Sequence, residues 1–354
     1  MEPQDLSKEA IGLLCRLIRI PSFSRQEKEA ADALQLFMTE HCHLPVQRSG
    51  NNLWTIAPGF DENRPTLLLN AHIDTVRPTD GWTRPPHEPV TIDGRLYGLG
   101  SNDDGGSLVS LLQTFRWLSD RPQTYNLIYL ASAEEEVNGK GGVESVLPQL
   151  PPISVGLVGE PTGMQPAIAE RGLMVLDAVS HGKAGHAARN EGDNAIYHAI
   201  DDIQRLRTFR FPRVSPLLGE VKMSVTIVNA GTQHNVVPDR CTFTVDVRTN
   251  DLYSNQEALE IIRSLVTSDV EPRSTRLASS HISPTHPLAA RAIALGREPF
   301  GSPTLSDQTL MRFPTLKMGP GQSSRSHTAD EFILESEIEE AIPLYCQLLD
   351  GLRL

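Results

Sequence analysis

No stretch of the sequence approaches the roughly 20 consecutive apolar residues that a helix needs to span a bilayer, so no membrane role is expected. Cysteine is scarce. Cys15, Cys42, Cys241 and Cys346 are scattered with no C-x-x-C pair. That argues against a disulfide framework or a thiolate zinc site and suits a reducing cytoplasm. Each cysteine reads as a small buried hydrophobe. Basic residues are in deficit, 32 Lys and Arg against 44 Asp and Glu, for a formal net charge of -12. No Lys/Arg cluster offsets this, so nucleic acid is not an expected partner. The first residues, MEPQDLSKEA, are too polar and acidic for a secretory signal, which makes the expected location cytoplasmic. Internal repeats and low-complexity segments are lacking as well.

What is present is a soluble-protein composition, 39% hydrophobic and 21% charged over 354 residues, a length that suggests about two domains. The stretch Leu67-Leu68-Leu69-Asn70-Ala71-His72-Ile73-Asp74 reads as a buried strand that delivers His72 and Asp74 at its carboxyl end. Positions i and i+2 share a side in extended chain, and ligands sit at that end of strands in open α/β sheets. A second apolar strand, over 126–131, ends in Glu134-Glu135-Glu136, and a third, over 155–158, ends in Glu160. Three strand ends that carry such residues point to one site. Between them, Gly98 to Gly106 leads into a helix marked by Leu108, Leu111, Leu112, Phe115 and Leu118, with Asp103 also placed as an N-cap.

Composition changes after Arg171. A strand over 173–180, a helix over 194–209 with Ile196, Ile200, Ile203 and Leu206 on one side, a strand over 221–229 and an alternating strand from Cys241 to Arg248 follow. A helix over 257–266 and a strand over 275–280 complete a βαββαβ order, that of a compact ferredoxin-like module. From Pro287 the chain is helical again, passes Ser306-Asp307 and the loop 319–328, and closes with a helix over 335–352.

The motifs NAHIDTV (70–76), YGLGSND (97–103), AEEE (133–136), GEPT (159–162), GKAGHAAR (182–189), TQHNVVPDR (232–240) and SHTADE (326–331) run through nearly the whole chain. Together they resemble the co-catalytic zinc aminoacylase and carboxypeptidase family, in particular its acetylornithine deacetylase and succinyl-diaminopimelate desuccinylase members. The resemblance implies an α/β fold: a mixed-sheet zinc-peptidase-like catalytic domain (residues 1–170 and 284–354) with an inserted ferredoxin-like α+β lid or dimerisation domain (171–283).

It also implies two divalent metal ions, Zn with Co or Mn as alternatives. His72 and Glu160 would hold one, His327 and Glu136 the other, and Asp103 would bridge them. Asp74 would orient His72, Glu135 would be the general base, and His186 would stabilise the developing oxyanion. Asn235 and Arg248 match substrate-contacting positions, although Arg248 also fits the exposed side of an alternating strand. The implied activity is removal of the acyl group of N-acetyl- or N-succinyl-L-ornithine, within arginine biosynthesis. Succinyl-diaminopimelate desuccinylase, acetyl-lysine deacetylase and dipeptidase activities stay open, as does a silent amino-acid- or peptide-binding protein of the same fold. A homodimer is expected.

The chain departs from the pattern at Leu99, Asp104 and Gly105, where many relatives have arginine, methionine and lysine, and at Glu134, where aspartate is usual. Asp104 reads as a helix N-terminal charge. His43, His87, His181, His198, His234, His281 and His286 match no ligand position.

Overall fold

The sheet that carries the site is built on the strand Thr66–His72, every residue of which is buried. It pairs in parallel with Asn126–Ser132 on one side and Val155–Val158 on the other. Thr315–Lys317 adds a further parallel strand and Asn52–Ile56 an antiparallel one, so the sheet is mixed. Central strands covered on both faces read as unbroken apolar runs, which is why LLL and NLIYLA stand out in the sequence. The structure is a computed structural model that describes residues 3–43 and 45–354. The thiol of Cys42 lies outside the described residues; Cys241 and Cys346 are buried and Cys15 is partly so.

The chain forms two compact units. The first comprises Met1–Ile168, His281–Phe300 and Ser306–Leu354. In it the helices Pro3–Ile18, Gly106–Ser119 and Glu335–Leu349 pack on one another through apolar faces such as Leu14, Leu111 and Tyr345. Asp103 does not cap the Gly106–Ser119 helix. Gly105 stands at the N-cap with no side-chain cap hydrogen bond, and Asp103 takes an extended backbone conformation, φ -122° and ψ 98°.

The second unit comprises Ala169–Ser280 and Gly301–Leu305. Its four-stranded sheet runs in the order Lys222–Ala230, Arg240–Arg248, Met174–His181, Asp269–Pro272, all antiparallel. With the helices Ala195–Thr208 and Asn255–Leu265 this is the ferredoxin-like arrangement. The last strand is Asp269–Pro272 rather than 275–280. An edge position tolerates Pro272, while the main chain at Leu277 is used by irregular hydrogen bonds from Leu173 and Asn255.

The Ala195–Thr208 helix is rotated from the face its isoleucines suggest. Ala195, Ala199, Asp202 and Leu206 are the buried residues, and Ile200 is 54% exposed. The alanines allow close approach, and Asp202 is buried because it has donors to meet. Its carboxylate accepts from Thr267 N, Ser268 N and Ser268 Oγ at 2.7–3.1 Å. Burial pushes its pKa up, but those donors more than offset it and leave the group below the usual carboxylate value. Asp202→Ala should therefore destabilise the protein by about 3 kcal/mol, read as a lower calorimetric Tm. A depressed folded pKa contributes stability above the unfolded value of about 3.9 and loses it as pH falls through the folded one. The gap between variant and parent should close in that acid range.

Candidate metal centre

The parallel strands end side by side, with His72 opposite Ser132 in the register. Beyond Ser132 the chain turns through Glu134, in the left-handed region at φ 56°, into the short 3-10 turn Glu135–Val137. Beyond Val158, Gly159 N–H donates to Asn70 O at 2.7 Å, which places Glu160 next to the His72 strand end. A Cβ at Gly159 would come within 2.5 Å of Ser107 Cβ, so only glycine lets this strand end pass the helix.

Two groups of ligand-type side chains result, each with one ligand atom per residue within 4.8 Å of the others. One is His72, Asp103 and Glu160; the other is Asp103, Glu136 and His327. Asp103 is common to both. Its Oδ1 lies 3.2 Å from His72 Nε2 and its Oδ2 3.8 Å from His327 Nε2. His327 Nε2 also lies 2.9 Å from Glu136 Oε2, and Glu135 Oε2 stands 3.9 Å from His72 Nε2.

Asp74 meets His72 mainly through the main chain. His72 Nδ1 is 2.8 Å from Asp74 O and 3.6 Å from Asp74 Oδ1. The Asp74 carboxylate instead accepts the N–H groups of Glu135 and Glu136, at 3.0 and 3.1 Å, and the hydroxyl of Ser24 at 2.7 Å. It thus holds the turn that carries both glutamates as well as facing the imidazole.

The electrostatics of the site call for cations. Burial lifts Glu160 well above the carboxylate range, and the charges of Asp103 and Glu135 lift it further. Burial likewise raises Glu135; His72 opposes this, and the charges of Asp307, Glu136 and Asp74 add to it. Burial opposes a charge on His72, yet Asp103 and Asp74 overcome it and hold the imidazole well above its ordinary value. His327 is pushed up to about 9, chiefly by Glu136. Both imidazoles face carboxylates that favour a positive charge at these two positions. One imidazole with carboxylate oxygens in each group is a donor set that suits Zn, Co or Mn. The residues fit a pair of divalent ions.

Asp104 stands two residues before the Gly106–Ser119 helix, at its N-terminal end, but its carboxyl group is turned inward. It is buried, accepts His72 N–H on Oδ2 at 3.4 Å, and has no hydrogen-bond partner for Oδ1 among the described residues. Burial pushes it up to about 8.

His186, Asn235 and Arg248 belong to the second unit. Gly185–His186 pairs with Val236–Val237, and Ala187 N donates to Asn235 O at 3.0 Å, so His186 and Asn235 share one small ribbon. Arg248 lies on the larger sheet, where its guanidinium grips Asp246 through two hydrogen bonds of 2.8 and 3.1 Å.

Several buried carboxylates around the site carried no role in the sequence reading. Asp307 accepts from Ser132 Oγ at 2.5 Å. Glu27, fully buried, accepts Glu134 N–H at 3.2 Å and Arg25 N–H at 2.6 Å. Glu331 accepts three loop N–H groups. The one signal available was that Asp307 and Glu331 fall inside the stretches SD (306–307) and SHTADE (326–331).

A model of the peptidase family M20/M25/M40 matches residues 68–351. The chain is 27% identical to succinyl-diaminopimelate desuccinylase of Corynebacterium glutamicum, covering 98% of this chain and 97% of that protein. It is 28% identical to acetylornithine deacetylase of Pectobacterium carotovorum, over 87% and 86% of the two chains. Among solved structures, aminopeptidase PepT of Bacillus cereus superposes with a TM-score of 0.77 at 18% identity, covering 97% of this chain and 98% of that one. A dinuclear metal-binding peptidase of the M20 family from Bacillus subtilis superposes with a TM-score of 0.73 at 19% identity, over 98% and 99%.

Proposed function

This chain belongs to the peptidase family M20/M25/M40, and on that premise we propose that it is a di-metal amidohydrolase that removes the N-acyl group of an amino acid. The observation that supports this most is the pair of ligand groups that share Asp103, with Glu135 beside them. His72, Asp103 and Glu160 would hold one ion, and Asp103, Glu136 and His327 the other. When bound, a pair of divalent ions supplies Lewis-acid polarisation of the scissile carbonyl and lowers the pKa of the attacking water.

The side chains do the rest. Glu135 takes a proton from that water and returns it to the leaving amine. Its backbone is fixed by Asp74, and burial raises its proton affinity, as suits a carboxylate that accepts a proton during turnover. Asp74 also holds the His72 ring by its carbonyl oxygen, which sets the tautomer and leaves Nε2 toward the ion. In the second unit His186 is the donor for the oxyanion, and Asn235 beside it is a substrate contact. Arg248 serves the substrate carboxylate only by exchanging Asp246 for it.

N-acetyl-L-ornithine or N-succinyl-L-ornithine is the substrate we favour, which would place the enzyme in arginine biosynthesis. Succinyl-diaminopimelate is the second reading, because desuccinylase and deacetylase relatives stand at 27% and 28% identity. A panel of N-acetyl and N-succinyl derivatives of ornithine, lysine and diaminopimelate, assayed with added zinc or cobalt, separates them. Hydrolysis of an ornithine derivative at least tenfold above the others is the expected result. Hydrolysis of none of the panel would remove the N-acyl-amino-acid reading.

Dimerisation is also proposed. Lys222–Ala230 is an edge strand whose Ile227 and Val228 are 49% and 53% exposed, and on the neighbouring helix Tyr197 and Ile200 are 67% and 54% exposed. An unpaired edge with apolar side chains invites a second strand. Sedimentation at micromolar concentration should show a dimer; a lone monomer would contradict it.

Among the described residues no helix is long and apolar enough to cross a membrane.

A further inference from the structure

The two ligand groups are not held in the same way. His72 and Glu160 stand at the ends of hydrogen-bonded strands, where the sheet fixes their spacing. Asp103 and His327 stand on irregular chain. Asp103 is in the turn Ser101–Gly105, and His327 follows the 3-10 turn Ser323–Arg325 in the left-handed region at φ 58°. Something other than the sheet must set the 3.8 Å between them.

Glu331 makes the connection. It is 2% exposed and lies four residues beyond His327. Its Oε2 accepts Gly100 N–H at 3.0 Å, and its Oε1 accepts the N–H groups of Asn102 and Asp103, both at 2.9 Å. Its carbonyl accepts Gly98 N–H at 3.0 Å. The Asn102 side chain laces the same two segments from the other direction. Its Nδ2 donates to Gln322 O and Ser326 Oγ, at 3.1 and 3.2 Å, and its Oδ1 accepts Gln322 N–H at 2.9 Å. Three N–H groups converge on this one buried carboxyl group and occupy both of its oxygens.

We propose that Glu331 is a positioning residue that sets the span between Asp103 and His327 and so governs the affinity of the second ion, held by Asp103, Glu136 and His327, far more than that of the first. This rests on the two-ion reading above. The consequence is selective. With Glu331 replaced, the strand ends keep His72 and Glu160 in place, so the first ion has one of its three ligands, Asp103, misaligned but not lost, whereas the second has two of its three, Asp103 and His327, misaligned together. Asp103 and His327 lose their common anchor and the second ion is weakened.

Apo protein titrated with Co(II), read by calorimetry and by the visible absorption of the bound ion, tests this. Wild type should take up two equivalents. Glu331→Ala should bind the first within about threefold of wild type and the second 10- to 100-fold more weakly, the range seen when a group supporting a ligand is lost. Glu331→Gln keeps an oxygen for Asn102 and Asp103 but turns an amide N–H₂ on Gly100 N–H, so its loss at the second ion should be smaller. Hydrogen exchange at the Gly100, Asn102 and Asp103 amides should quicken in both variants. Equal weakening of both equivalents, or no weakening of either, overturns the proposal, because the first is what a merely structural carboxylate would give. A wild type that binds only one equivalent overturns the two-ion reading beneath it.

Discussion

Glu135→Ala should lower kcat by about 10²–10⁴-fold, the usual contribution of a general base, which is about 3–5 kcal/mol of barrier. KM and metal content should stay close to wild type. The reason lies in how the turn after Ser132 divides two adjacent carboxylates. Glu136 reaches His327, with Oε2 2.9 Å from Nε2, and joins the group that includes Asp103. Glu135 faces the other way, 3.9 Å from His72 Nε2, and belongs to neither group. Both N–H groups are held by one carboxylate, Asp74, so removing the Glu135 side chain leaves the Glu136 backbone where it was. Kinetics together with metal analysis check this. Loss of an ion from Glu135→Ala would mean that the two glutamates have exchanged roles.

Asp103→Ala should be the most damaging single change for metal. Asp103 is the one residue common to both groups, so its loss takes a ligand from each ion and leaves His72 with Glu160, and His327 with Glu136. Two ligands hold a divalent ion poorly, and bound metal after dialysis should fall from two per chain to well below one, with activity lost in parallel. Glu160→Ala and Glu136→Ala should each spare one ion. Elemental analysis of the three variants side by side reads the difference. An Asp103→Ala protein that keeps one full equivalent would show that the ions do not share it.

The sequence made the strand ends legible because apolar runs and their carboxyl ends are local signals. LLLNAHID and the run over 126–132 need no tertiary information to read. The ferredoxin-like module was equally visible in the alternation from Cys241 to Val247, whose apolar residues Cys241, Phe243, Val245 and Val247 are all buried. What escaped depends on partners far along the chain. Asp103 N–H and Glu331 are 228 residues apart, and no local pattern relates them. Asp202 sits on the inner face of its helix because Thr267 and Ser268, 65 and 66 residues on, need an acceptor. That demand, together with Ala195 and Ala199, turned the helix away from the face its isoleucines suggested. Asp104 does stand at the N-terminal end of its helix, but its burial against His72 depends on a strand end 32 residues back and was not legible.

Two ions held by these groups would sit close enough to share the Asp103 carboxylate. Electron paramagnetic resonance of apo protein loaded with two equivalents of Mn(II) addresses this directly. Two ions bridged by Asp103 should give an exchange-coupled spectrum, with the signal of an isolated Mn(II) ion confined to samples that hold one equivalent or less. A spectrum at two equivalents that is only the sum of isolated ions would contradict the shared-ligand site.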